Sequence, residues 1–158
     1  MKKTHHYEVN VEWTGNTGTG TSAYHAYERA HEVKVEGKAP ILCSSDPSFR
    51  GDPSRYNPEE QLVASISSCH MLWYLHLCAT AKITVLEYQD KAIGTMVENS
   101  DGSGYFSEVV LEPKIRIKNP QNLQKAKELH HQANQMCFIA NSLNFPVKHE
   151  PEIDAMEI

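Results

Sequence analysis

Excess basic charge, clustered cysteine and an uninterrupted apolar run are all missing from this 158-residue sequence. The formal net charge is −5, which removes the electrostatic footprint needed to hold phosphate backbones or anionic lipid as the main task. No nucleic-acid partner and no membrane partner are therefore expected. Only four cysteines are present, Cys43, Cys69, Cys78 and Cys137, spaced 26, 9 and 59 residues apart. That is too sparse for a disulfide scaffold, and no CxxC pair suggests a metal clip. The N-terminus begins basic (Lys2, Lys3) but reaches no apolar stretch of signal-peptide length, so a cytoplasmic location is expected, with the cysteines as free thiols. The most apolar window, Leu62 to Ala81, is interrupted by Ser65, Ser67, Ser68, His70, His76 and Thr80. A bilayer span needs about 20 predominantly apolar residues, so this window reads as a buried helix. No internal repeat, low-complexity tract or linker appears, and one domain covering 1–158 is expected. What is present, 40% apolar and 22% charged residues, is the composition of a globular chain able to bury one core.

Alternation in Tyr7-Glu8-Val9-Asn10-Val11-Glu12-Trp13 predicts a half-buried strand, ended by the glycine-rich run Gly15 to Thr21. His31 to Glu36 and Ile41 to Cys43 predict two more strands around the turn at Gly37 to Pro40. Asn57-Pro58-Glu59-Glu60 then opens a helix: Asn57 suits the N-cap, Pro58 the first helical position, and the two glutamates the positive end of the dipole. That helix is expected to run to about Ala81, with apolar side chains around most of its circumference, central and covered on several sides. Ile83 to Ala92, Gly94 to Glu98 and Tyr105 to Lys118 predict a second antiparallel set, with a turn at Asn99 to Gly104. Asn119-Pro120 repeats the cap-and-proline opening, followed by a helical stripe of Leu123, Ala126, Leu129, Ala133 and Met136. The tail from Phe145 is expected to add one edge strand. The class is α+β.

Three segments carry chemistry: Tyr56-Asn57-Pro58-Glu59-Glu60-Gln61-Leu62, Ser67-Ser68-Cys69-His70, and His130-His131-Gln132-Ala133-Asn134-Gln135-Met136-Cys137. Together they resemble the OsmC/Ohr family of thiol peroxidases, in which an Asn-Pro-Glu helix opening is followed ten residues after the glutamate by one cysteine, with a second near the C-terminus. Here Glu59 plus ten is Cys69. The resemblance implies antiparallel sheets wrapping a central cysteine-bearing helix in an intertwined homodimer, and reduction of organic hydroperoxides in oxidative-stress defence. It implies that Cys69 attacks the peroxide and becomes a sulfenic acid, and that Cys137 condenses with it to a disulfide. No cofactor and no metal would be needed, because sulfur carries the electrons and an external thiol, a lipoyl-type or other dithiol or a general thiol, returns them.

A nucleophilic cysteine must be a thiolate, and a free cysteine has a pKa of about 8.5, so a cationic or donor-rich setting is required. The family supplies an arginine from the early β-region, salt-bridged to the Asn-Pro-Glu glutamate. Arg29 is the best match here, with Arg50 and Arg55 as rivals. Ten residues place Glu59 and Cys69 ~15 Å apart along one straight helix, too far for contact. A second chain could bring an Arg29–Glu59 pair to the cysteines.

Cys78 lies about half a circle from Cys69 on the same helix and, like Cys43, reads as a small buried hydrophobe. Nine histidines invite a metal reading, but His70 and His76 fall on different faces and adjacent His130 and His131 cannot point the same way. The Gly15 to Gly20 run lacks phosphate-loop spacing and reads as a turn. Met71, Trp73 and Tyr74 read as core, or as the wall of an apolar cleft beside Cys69. Two alternatives stay open: a non-enzymatic module of the same fold that holds a hydrophobic small molecule, and a cysteine hydrolase pairing Cys69 with a histidine.

Overall fold

The computed structural model describes residues 2–156. The chain groups into two compact units, Met1–Gln61 and Leu62–Ile158, and helix α1 (Pro58–Thr80) passes from the first into the second. In the first unit, β1 (Asn10–Trp13), β2 (His31–Lys34) and β3 (Ile41–Cys43) form an antiparallel sheet in that order. Register places Val11 opposite Val33 and Val33 opposite Ile41, with Trp13, His31 and Cys43 in the next row. Paired residues share a face, so one side of this sheet is an apolar grid. The other side carries the Glu12–Lys34–Glu32 ion pairs. The glycine-rich loop is a turn, as its composition predicts. Asn16 Oδ1 accepts from the backbone of Gly18 and Gly20, and Gly15 packs so closely on Glu28 that a Cβ would lie 1.8 Å from its carbonyl oxygen.

Helix α1 starts where the sequence places it. The Glu60 amide donates to Asn57 Oδ1 at 2.8 Å while the Asn57 amide donates to Glu60 Oε2 at 3.2 Å, a reciprocal capping box. At its other end the Ile83 amide reaches Cys78 O and the Lys82 amide reaches Ala79 O, a Schellman ending that puts Lys82 at φ 58°.

The second unit continues with β4 (Val85–Asp90), β5 (Ile93–Glu98), β6 (Gly104–Leu111), β7 (Pro113–Ile117), α2 (Leu123–Met136), β8 (Val147–His149) and β9 (Glu152–Ala155). Its strands form two sheets, β4-β7-β9 and β5-β6-β8. The stretch Tyr105 to Lys118, which alternation alone reads as continuous, is divided at Glu112 between the two sheets. The Asp90 carboxylate holds that crossing, accepting from the Glu112 amide at 2.8 Å and from the Ser67 hydroxyl. The tail corrects the expectation of one edge strand. It supplies two, β8 parallel to β6 and β9 parallel to β7, because the backbone breaks at Glu150-Pro151, where proline has no amide to donate.

Two apolar clusters hold this unit. Tyr74 and Cys78 pack with Ile83, with Ile115 and Ile117 of β7, and with Ala126, Leu129 and Ala133 of α2. Ile66 packs with Val109 and Leu111 of β6, each such burial worth about 1.5–3 kcal/mol. At Gly94 a Cβ would sit 2.6 Å from Val63, so the absence of a side chain lets β5 approach the helix. By length and composition α1 could cross a membrane, but it packs here on both sheets of its unit. It is not covered on several sides as its composition suggests. Its buried residues are one stripe at four-residue spacing, Ile66, His70, Tyr74 and Cys78, and Leu72 is 61% exposed.

Candidate active site

Residues 69 and 137, far apart in sequence, meet in the second unit. Cys69 is half-buried on α1, and Cys137 caps the C-terminus of α2 with φ −67° and ψ 109°. Leaving the helical conformation at Cys137 starts a tight turn. The Asn141 amide donates to Cys137 O at 3.0 Å, the Ala140 amide points at Cys137 Sγ at 3.4 Å, and the Ser142 hydroxyl closes on Phe138 O at 2.8 Å. The Cys137 side chain is thereby held inward and is 1% exposed. Both cysteines are free thiols.

Their environments differ. Burial, reinforced by the neighbouring Cys69 sulfur and only partly offset by the Ala140 amide, pushes the Cys137 thiol up to about 11. At neutral pH Cys137 is a protonated, sequestered thiol. Cys69 instead opens on a shallow apolar groove of about 330 Å³ lined by Leu72, Trp73, His76 and Phe138. Trp73 sets its walls, meeting His76 and Phe138 edge to face with ring centroids 5.7 and 5.6 Å away. Phe138, the residue after the buried cysteine, is 69% exposed. Phe138 therefore stands at the mouth of the groove and outside the core. Tyr74, grouped with Trp73 in the sequence reading, belongs to the core and not to this groove. Cys78 and Cys43 are buried small residues.

The other two candidates, Arg29 and Glu59, lie in the first unit. The Arg29 guanidinium donates to the carbonyls of Tyr27 and Tyr24 and sits over both rings, 4.1 and 4.4 Å from their centroids. Among the described residues no ion pair joins it to Glu59, and Glu59 Oε2 is buried without a hydrogen-bond partner. Of the rival arginines, Arg55 pairs with Asp52 through Nε at 3.7 Å while its Nη1 is buried without a partner. Arg50 stands at φ 63° with its guanidinium 5.9 Å from the Tyr24 ring.

One group escaped the sequence reading. His70 and His130, weighed there as metal ligands, are fully buried and bonded to each other, Nε2 to Nδ1 at 3.0 Å. The signal was the four-residue stripe: His70 stands midway between Ile66 and Tyr74, and any residue there must face inward. No group of three histidine, cysteine or acidic side chains among the described residues is placed to hold a metal.

Residues 51–152 match the OsmC-like protein family. No match is found among curated proteins. Among solved structures, the chain is similar to an OsmC-like protein of unknown function from Vibrio cholerae, 32% identical, with 94% of this chain and 100% of that one covered and a TM-score of 0.84. An organic hydroperoxide resistance protein from Elizabethkingia anophelis shares the fold at 20% identity, 99% and 100% coverage and a TM-score of 0.68. One from Legionella pneumophila does so at 15% identity, 97% and 99% coverage and a TM-score of 0.69. The family match over well more than half of the sequence, with a relative this similar along nearly its whole length, places the chain in the OsmC/Ohr family.

Proposed function

We propose that this protein is a cysteine-based peroxidase that reduces organic hydroperoxides in the cytoplasm as part of oxidative-stress defence. The observation that carries the reading is the pairing of a groove-facing Cys69 with a buried, protonated Cys137 beside it. The Cys69 thiolate attacks the distal peroxide oxygen, the O–O bond breaks, and the departing alkoxide takes a proton to leave as alcohol. Cys69 is then a sulfenic acid. The Cys137 thiol attacks its sulfur, the S–S bond forms, and the hydroxyl leaves with the thiol proton as water. An external dithiol, lipoyl-type or general, returns two electrons by thiol–disulfide exchange. The apolar groove wall favours bulky hydroperoxides over hydrogen peroxide.

Arg29 and Glu59 belong to this proposal as the pair that supports the thiolate, supplied across a homodimer. Two features favour a second chain. Buried charged atoms without partners are costly, and Glu59 Oε2 and Arg55 Nη1 are two such atoms. Val11, on the apolar face of the first sheet, is 64% exposed.

The test is intact mass and free-thiol count after one equivalent of an organic hydroperoxide, run beside hydrogen peroxide and beside Cys137→Ser. Rapid loss of two thiols in the wild type, with sulfenic acid trapped on Cys69 in the variant, is expected. Equal, slow loss from all four cysteines would overturn the proposal. The openness and apolar lining of the groove favour one second reading, a non-enzymatic module that holds a hydrophobic small molecule. Such a module would show no thiol-dependent turnover, and Cys69→Ser would leave its ligand affinity intact.

A further inference from the structure

We propose that the buried hydrogen bond between His70 and His130 is a strut that sets the spacing of the two cysteine-bearing helices, making both histidines positioning residues for the Cys69–Cys137 pair. The inference rests on the reading that this pair cycles through a disulfide. His70 follows Cys69 on α1, and His130 stands on α2 two turns, about 10 Å, before Cys137. Among the described residues theirs is the one side-chain hydrogen bond that joins these two helices. A helix is stiff over such distances, so this bond, acting with the packing of Tyr74 and Cys78 on Ala126, Leu129 and Ala133, constrains where the two sulfurs lie.

The bond is built with little slack. The imidazole planes are within 10° of each other. Tyr74 stacks on His130 at 3.8 Å between centroids, and His149 of β8 covers both rings at 5.6 and 6.0 Å. The outward nitrogens, His70 Nδ1 and His130 Nε2, are buried without partners, so each ring directs its one bond at the other. Two buried imidazoles are a costly way to fill space that an aliphatic pair would fill more cheaply. A directional bond between helices is what the arrangement supplies in return.

The bond needs an N–H on one ring and a bare, accepting nitrogen on the other, so at least the accepting imidazole is neutral. The titratable groups facing them are Tyr74, with Cys78 and Tyr88 behind it, and His149, itself met by His131. None of the ion pairs among the described residues includes these histidines. A proton added to the pair meets no counter-charge.

The test is the equilibrium of the full-length protein with glutathione at pH 7.5. Two protein thiols and one oxidised glutathione exchange to give the Cys69–Cys137 disulfide and two reduced glutathiones, the ratio giving the effective concentration of the pair. His130→Phe keeps the ring and its stacking but removes the bond, and is expected to lower the effective concentration about tenfold. His130→Asn, whose Oδ1 takes the place of Nδ1, is expected to stay within about threefold of wild type, as is His70→Gln, whose amide nitrogen replaces Nε2. A folded His130→Phe that matches wild type overturns the strut. So does a fall in both hydrogen-bonding variants as large as that in His130→Phe, or, if His130→Phe does not fold, a tenfold fall in His70→Gln. A wild-type protein that forms no Cys69–Cys137 disulfide overturns the redox reading itself, and the strut with it.

Discussion

Acid should destabilise this protein by way of two histidines, and by a computable amount. Burial, with a smaller contribution from His149, lowers His70 from 6.5 to about 4, and burial with His70, His149 and His131 lowers His130 to about 3. Both folded values lie below the unfolded one, so the unfolded chain takes up protons first as pH falls. The contribution of these two histidines to stability is therefore constant above pH 7, declines below about 6.5, and levels off once the folded pair itself protonates. For His70 alone the interval from 6.5 to about 4 corresponds to about 3 kcal/mol at 1.36 kcal/mol per unit. His130 adds to this by less than its own shift suggests, because a proton on one ring opposes a proton on the other. The assay is urea unfolding at fixed protein concentration from pH 7.5 to 4, for wild type and for His70→Gln/His130→Asn. Wild type should lose more than about 3 kcal/mol relative to the double variant across that range, the His70 contribution alone being about 3. Parallel stability curves would show that the imidazoles are not held neutral, and the reasoning would fall.

Three further outcomes are expected. Asn57→Ala breaks the capping box at the start of α1 and should cost about 1 kcal/mol in urea unfolding; no change would mean that the helix start is held by something other than its cap. Lys82→Gly relieves a left-handed residue at φ 58° and should stabilise by about 1 kcal/mol; a loss of stability would mean that the lysine side chain contributes more than its backbone strain costs. Cys137, with a thiol near 11, is about one part in a thousand thiolate at pH 8, so iodoacetamide should modify Cys69 well before it. Peptide mapping that finds Cys137 alkylated first would reverse the roles assigned to the two cysteines.

Much of the architecture was legible because its causes are local. The Asn57-Pro58-Glu59-Glu60 start, the turn at Asn16 to Gly20 and the strand at Ile41–Cys43 depend on residues within a few positions of each other, and each appears where composition and spacing place it. Alternation along Tyr105 to Lys118 correctly marked β structure but could not show the division at Glu112. That break depends on Asp90, 22 residues away. The tail was misjudged for a related reason: parallel pairing of β8 and β9 needs partners set by long crossovers, which leave no short-range trace.

The same boundary runs through the site. By itself the sequence singled out Cys69 and Cys137 as candidates, and determined where the helices leading to them begin and which family the chain resembles, since caps, prolines and motif spacing act along the chain. Only the tertiary structure decided that Cys69 faces a groove while Cys137 is buried beside it, that Arg29 is clasped between two tyrosines, and that His70 bonds His130 across 60 residues. Burial and its effect on ionisation come from what packs against a group, and for these side chains the packing partners are brought in by the fold rather than by their neighbours in sequence.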